Sequence, residues 1–134
     1  MIERDYIMRL LRQLFDALNE IVHNRKEESA EVVLHQVNEL YGQYFGREPQ
    51  FFYDSTTESI IHLLEGSNSH TDALVKIEML AELVYTDAIL RPESPLRRDL
   101  LVKALGLFEH VEKNSSTFSL SRRDKIQNAM NQLS

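Results

Sequence analysis

Apolar residues recur every three or four positions along almost the whole chain, which is the period of an α-helix and not of a β-strand. The first run covers about residues 3–23, and no stretch alternates apolar and polar residues for long enough to predict a strand. Gly46, Gly66, Pro49 and Pro92 fall between these runs, where helices are expected to stop. The pattern therefore predicts an all-α fold.

Six helices are predicted from the apolar period and from residues that favour helix starts and ends. Their approximate ranges are 3–23, 29–45, 54–65, 71–90, 95–113 and 119–133. The best start signal is Ser94 followed by Pro95, a capping residue before a proline at the first helical position. Because the connections are short, we expect one domain over 1–134, built of antiparallel hairpins as a tetratricopeptide-like array or an irregular bundle.

The longest irregular stretch, GREPQFFYD at 46–54, contains Pro49 and the aromatic cluster Phe51, Phe52 and Tyr53. We expect a linker without a helix here, because proline opposes helix formation. The rings must lie against apolar surface. Two interpretations stay open: the rings plug one end of the helical array, which is the more common case, or they line a groove and contact a partner.

Charge is unevenly distributed along a chain whose net charge is −6. Residues 26–66 hold eight acidic and two basic residues, whereas 92–134 hold seven basic and five acidic. The basic residues of the last third are expected to solvate an outer face, or to pair with the acidic second and third helices within or between subunits. The overall balance argues against nucleic acid as a main partner, since phosphate binding needs a concentrated basic surface.

The apolar N-terminal run is interrupted by Arg9, Arg12 and Asp16. A secretory signal or a membrane span requires a continuous apolar segment, so neither is predicted. The chain has no cysteine, which excludes disulfides and fits a reducing compartment, and a cytoplasmic location is expected. The apolar face is wide enough that Tyr6, Leu10 and Phe15 are candidates for contact with a partner or a second copy.

The opening residues Asp5-Tyr6-Ile7-Met8-Arg9, followed by Leu10, Leu11 and Leu14, resemble the N-terminal motif of an uncharacterised bacterial family of small helical proteins with a tetratricopeptide-like architecture. The resemblance continues in KIEMLAELVY at 76–85 and VKALGLFEHVEK at 102–113. It implies the fold and an expectation of partner binding. It implies no catalytic residue and no cofactor.

Two pairs at helical spacing are weak candidates for metal ligands: Glu31 with His35, and Glu58 with His62. Pairs on facing helices hold zinc in some proteins through imidazole and carboxylate, although such residues are ordinary on a solvated helix face. No glycine-flanked nucleophile or phosphate-binding loop is present. The favoured hypothesis is a non-catalytic module that binds a protein partner or itself. The alternative is a small enzyme or a metal-binding protein.

Overall fold

The computed structural model describes residues 2–134, with side chains from residue 5 onward, and it contains no strand in that range. Its seven α-helices confirm the all-α prediction. They are α1 (Ile2–Asn24), α2 (Ala30–Phe45), α3 (Pro49–Asp54), α4 (Thr57–Ser67), α5 (His70–Ile89), α6 (Pro95–Asn114) and α7 (Leu120–Leu133), with a single 3-10 turn at Arg25–Glu27.

Hydroxyl side chains cap five of these helices. Ser29, Ser94 and Ser119 accept hydrogen bonds from the amides three residues on, at 3.1 to 3.2 Å, which confirms the predicted starts of α2, α6 and α7. Helices α4 and α5 are capped by Thr56 and Ser69, so α4 begins three residues later and α5 one residue earlier than the predicted ranges 54–65 and 71–90. Several hydroxyl and acidic residues lie close together in 54–58 and in 67–72. The apolar period alone therefore could not identify which of them caps each helix.

The prediction of a helix-free linker at 46–54 was wrong. Gly46 ends α2 with a φ of 69°, and after Arg47 and Glu48 the chain forms α3, which has Pro49 in its first turn. Proline is tolerated there because its missing amide hydrogen would have no helical partner. The fold therefore has seven helices and not six.

Helix α5 lies at the centre of the fold. It packs against α1, α2, α4 and α6, and its residues 79–88 are all buried. Residue numbers increase in the same direction along α5 and α7 where the two helices meet: Arg122 contacts Glu78, and Lys125 contacts Glu82. Helix α7 therefore runs parallel to α5.

One apolar core draws on every helix, with Leu14, Val37, Phe52, Ile60, Ile77, Leu100 and Ala129 as one member from each. A polar face remains along the outer helices, whereas α5 exposes polar residues only in its N-terminal half. None of the helices in the described range combines the length and the apolar character needed to cross a membrane.

Candidate functional site

A polar cluster lies inside the core, centred on Asp87 of α5, whose side chain is fully buried. The Tyr41 hydroxyl donates to Asp87 Oδ2 at 2.8 Å, and the Tyr53 hydroxyl donates to the same oxygen at 2.5 Å. Arg91 donates from Nε to Asp87 Oδ1 at 2.8 Å and from Nη2 to the Tyr53 oxygen at 3.0 Å. The cluster joins α2, α3 and the end of α5.

Burial and the neighbouring Asp87 carboxylate raise the pKa of Tyr41 and of Tyr53, so both hydroxyls keep their protons at neutral pH and act as donors. Burial opposes the charge on Arg91, but Asp87 outweighs it and the pKa of Arg91 rises. The donors and acceptors of these four residues satisfy one another. The arrangement therefore fixes the packing of three helices, and it holds no activated nucleophile.

A second polar cluster anchors α7. Arg122 is only 2% exposed, and it donates to Glu112 at 2.8 Å, to Glu78 at 2.9 Å and to the Thr117 carbonyl at 2.8 Å. Lys125 Nζ lies 2.5 Å from a carboxylate oxygen of Glu82. Burial raises the pKa of Glu82, and the neighbouring Lys125 offsets only part of this rise. For these two cations, the predicted pairing with the acidic second and third helices was wrong. Their partners are carboxylates of α5 and α6, because α7 packs there.

Among the described side chains, the acidic segment 26–66 has no lysine or arginine partner. Among the side chains that the structure describes, its carboxylates form ion pairs only with histidine: Glu39 with His35 at 2.6 Å and Glu65 with His110 at 3.5 Å. No lysine or arginine lies within 4.0 Å of a carboxylate of this segment in that same set. Its negative charge is therefore directed to solvent.

A groove between α1 and α2 combines this charge with apolar surface. Its volume is about 270 Å³. Three apolar side chains, three carboxylates and three amides line it: Ala17, Ile21, Leu40, Glu20, Glu28, Glu39, Asn24, Gln36 and Gln43. An apolar strip bordered by carboxylates and amides suits a segment that carries both an apolar and a basic residue. We take this groove, named here the α1–α2 groove, as the candidate site.

The three α1 residues proposed for partner contact do not form one patch. Tyr6 is 54% exposed, Leu10 packs against the core, and Phe15 is half-buried. Tyr6 and Phe15 are nine residues apart, which places them on opposite sides of a helix with about 3.6 residues per turn. The apolar face of α1 is therefore buried along its centre. Its two less buried edges, at Tyr6 and at Phe15, are separate from each other.

The aromatic cluster of α3 points mainly inward. Phe52 is 2% exposed and packs against Tyr41 and Phe45 at ring distances of 5.7 and 5.8 Å. Tyr53 is half-buried and faces Asp87, and Phe51 is exposed, with the Arg47 guanidinium 4.1 Å from its ring centre. Phe52 therefore plugs the core, and the suggestion that it contacts a partner is corrected, because a buried ring offers no surface.

The candidate metal ligands Glu31, His35, Glu58 and His62 all lie on exposed positions of α2 and α4. Across the described residues, no three His, Asp or Glu side chains are grouped so that they would hold a metal ion. The helical spacing brings two residues of each pair onto one face, and the fold adds no third ligand.

Sequence reasoning missed the buried polar residues of α5. The available signal was the occurrence of Glu82 and Asp87 in the mostly apolar stretch 79–88, since a charge there must have a buried partner. Arg91 lies four positions from Asp87, but the sequence does not reveal the other partners, which lie 34 to 46 positions away. No protein-family model, no curated protein and no solved structure matches this chain. The choice of the α1–α2 groove as the candidate site therefore depends on the geometry of the groove alone.

Proposed function

We propose that this chain is a non-catalytic helical module that binds a protein partner in the α1–α2 groove. The partner segment presents lysine or arginine side chains around an apolar residue, most simply as an amphipathic helix. The observation that carries the proposal is the combination of an apolar floor with carboxylates that have no lysine or arginine partner among the described side chains.

In this proposal the affinity comes from apolar contact at the floor. Ile21 is half-buried and Leu40 is 7% exposed, so the apolar area that binding removes from water belongs mainly to Ile21 and to the side chain of the partner. Burial of apolar area contributes roughly 25 cal/mol per Å². The groove is short, so we expect one anchoring side chain and not a long row of them.

The rim supplies selectivity. Glu20, Glu28 and Glu39 surround the floor, and they attract cationic segments and repel acidic ones. Because these carboxylates are exposed, each ion pair is worth less than about 1 kcal/mol and is screened by salt. Affinity should therefore fall as ionic strength rises.

The resemblance of the opening motif to a tetratricopeptide-like family is consistent with partner binding, since stacked hairpins commonly offer a groove between helices. The tetratricopeptide-like arrangement, a bacterial origin and a cytoplasmic location remain predictions. The pairing of the polar groups around Asp87 supports a structural role for that cluster, and this favours a binding function over catalysis.

The test is a titration of the full chain with a synthetic helical peptide that has leucines on one face and lysines on the other. We expect binding by wild type, no binding of the same peptide with glutamate in place of lysine, and about tenfold weaker binding by the double variant Glu20→Gln/Glu39→Gln.

The matched control is Asp54→Asn/Glu58→Gln, which changes the net charge equally on exposed positions of α3 and α4. Equal weakening by both double variants would show that overall charge attracts the peptide and that the α1–α2 groove does not bind it. Binding that is unchanged in the Glu20→Gln/Glu39→Gln variant would also contradict the proposal.

A further inference from the structure

The two most exposed large apolar side chains of the described residues lie where α6 is joined to α7: Phe118 of the turn at 71%, and Leu120, the first residue of α7, at 64%. Phe118 makes one ring contact, with the Arg123 guanidinium 5.7 Å from the ring centre. A phenylalanine that remains in water loses the stabilisation that burial would bring. Its position therefore calls for a physical explanation.

The turn holds Phe118 outward. The backbone of Thr117 is fixed, because its carbonyl accepts a hydrogen bond from the buried Arg122 at 2.8 Å and its amide donates to Ser115 Oγ at 3.1 Å. On the other side, Ser119 caps α7 by accepting from the amide of Arg122 at 3.1 Å. The residues on either side of Phe118 are thus pinned, so its ring is displayed by a fixed backbone.

An apolar cleft begins at the same turn. Its volume is about 340 Å³, and residues 114–117 form one wall. The apolar part of the lining comes from α1, α5 and α6: Met8, Leu11, Leu74, Val75 and Val111. An apolar cavity of about 150 Å³ is large enough to hold benzene, so this cleft has room for a phenyl ring.

We infer that a second copy of this chain fills the cleft, with Phe118 of each copy inserted between α1 and α5 of the other. Phe118 follows directly after the wall residue Thr117, so the anchor and the cleft adjoin each other. A two-fold axis beside the turn then satisfies both contacts at once, and the assembly closes as a dimer. An anchor and a cleft on distant faces would instead produce open chains.

The electrostatics of the turn permit this approach. The rim residues Ser115, Ser116 and Thr117 are uncharged, and Glu78 in the lining is neutralised by Arg122 at 2.9 Å. The turn also lies within 92–134, whose net charge is +2. Of the acidic segment 26–66, Glu65 reaches the nearby part of α6, where it pairs with His110 at 3.5 Å. Two copies can therefore meet here with a single carboxylate in each cleft lining, Glu78, which is already paired.

The contact is small, so the dimer is weak. Two phenylalanines, their clefts and Leu120 bury on the order of 1,000 Å² in total, at the low end for specific interfaces. We expect a dissociation constant in the range of about 10 to 500 μM. This contact is independent of the α1–α2 groove, so either proposal can fail without the other.

The test is sedimentation equilibrium of the full chain from about 10 μM to 1 mM, a range that brackets the expected dissociation constant. The average mass of wild type should rise from 15.6 kDa towards twice that value. Phe118→Ser and Ser116→Arg, which remove the anchor and block the cleft, should each weaken the dimer at least about tenfold. Val102→Ser removes another exposed apolar side chain, 53% exposed on α6, and should leave the dimer unchanged.

A second measurement locates the contact. In a mixture of isotope-labelled and unlabelled protein, nuclear Overhauser effects between copies should connect the Phe118 ring with the methyl groups of Leu11 and Val75. A monomer at 1 mM overturns the inference, as does a dimer that persists in Phe118→Ser or one in which these effects are absent.

Discussion

Asp87 shows most directly how single residues hold this fold. Its carboxylate has no exposed surface, and three donors from Tyr41, Tyr53 and Arg91 compensate for the hydration it loses. A buried charge is tolerated only with such partners, and removal of one member leaves the others unsatisfied.

Replacement of Asp87 with alanine should lower the free energy of unfolding by about 3–5 kcal/mol, because it leaves the Arg91 charge without its partner and the Tyr41 hydroxyl without an acceptor. Urea denaturation measures the loss. Asp54→Asn is the control: Asp54 is exposed and accepts one hydrogen bond from Gln50, so its replacement should change stability by less than about 0.5 kcal/mol. A loss below about 1 kcal/mol for Asp87→Ala would show that the cluster contributes little.

The tyrosines around Asp87 predict a loss of stability in alkali. Their ordinary pKa is 10.0, and burial and Asp87 raise the pKa of both in the folded state. Above about pH 10 the unfolded chain releases protons that the folded chain retains, so the free energy of unfolding falls as pH rises, by up to about 1.4 kcal/mol per pH unit for each tyrosine.

Denaturation of wild type and Tyr53→Phe at several pH values from 9 to 11 tests this. The variant should lose stability less steeply with pH, since it lacks one of the two groups. Tyr6→Phe removes an exposed hydroxyl and serves as the control. Identical slopes for wild type and Tyr53→Phe would contradict the role assigned to the buried hydroxyl.

At the scale of elements, the sequence was most informative where one local signal stood alone. Ser94 and Pro95 marked the start of α6, and the apolar period marked the extents of α2 and α6 within a residue or so. Helix α3 was missed because a proline in the first turn was read as a helix breaker. The polar partners of α5 were missed because they depend on tertiary packing, which a local period does not encode.

Gly42 of α2 and Gly106 of α6 have different surroundings. A Cβ built on Gly42 of α2 meets nothing within 4 Å, whereas one built on Gly106 of α6 lies 2.9 Å from Thr57 Cγ2. Gly106 therefore allows α4 and α6 to approach closely.

Gly42→Ala should stabilise the protein by about 0.5–1 kcal/mol, because alanine loses less backbone entropy than glycine in a helix. Gly106→Ala should give no such gain, and adding Thr57→Ser should recover part of it, since the clashing methyl is then absent. Thermal denaturation compares the variants. An equal gain at both positions would contradict the close approach of α4 and α6.

At the scale of the whole molecule, folding separates the charges in a way that composition does not show. The cations Arg122 and Lys125 are used to fasten α7 to α5 and α6, while the carboxylates of 26–66 stay in solvent. The sequence identified the acidic segment, but it did not show which lysine and arginine side chains would pair with other carboxylates. That outcome depends on which helices are neighbours, and it leaves unpaired carboxylates at the α1–α2 groove, where we propose that a basic partner binds.

The most direct test of partner binding in this groove is a nuclear magnetic resonance titration of the isotope-labelled chain with the leucine–lysine peptide. Amide shifts should change in residues 17–28 and 36–43, which line or flank the groove, and the changes should diminish as salt is added. No shift changes, or changes confined to other helices, would contradict the proposed function.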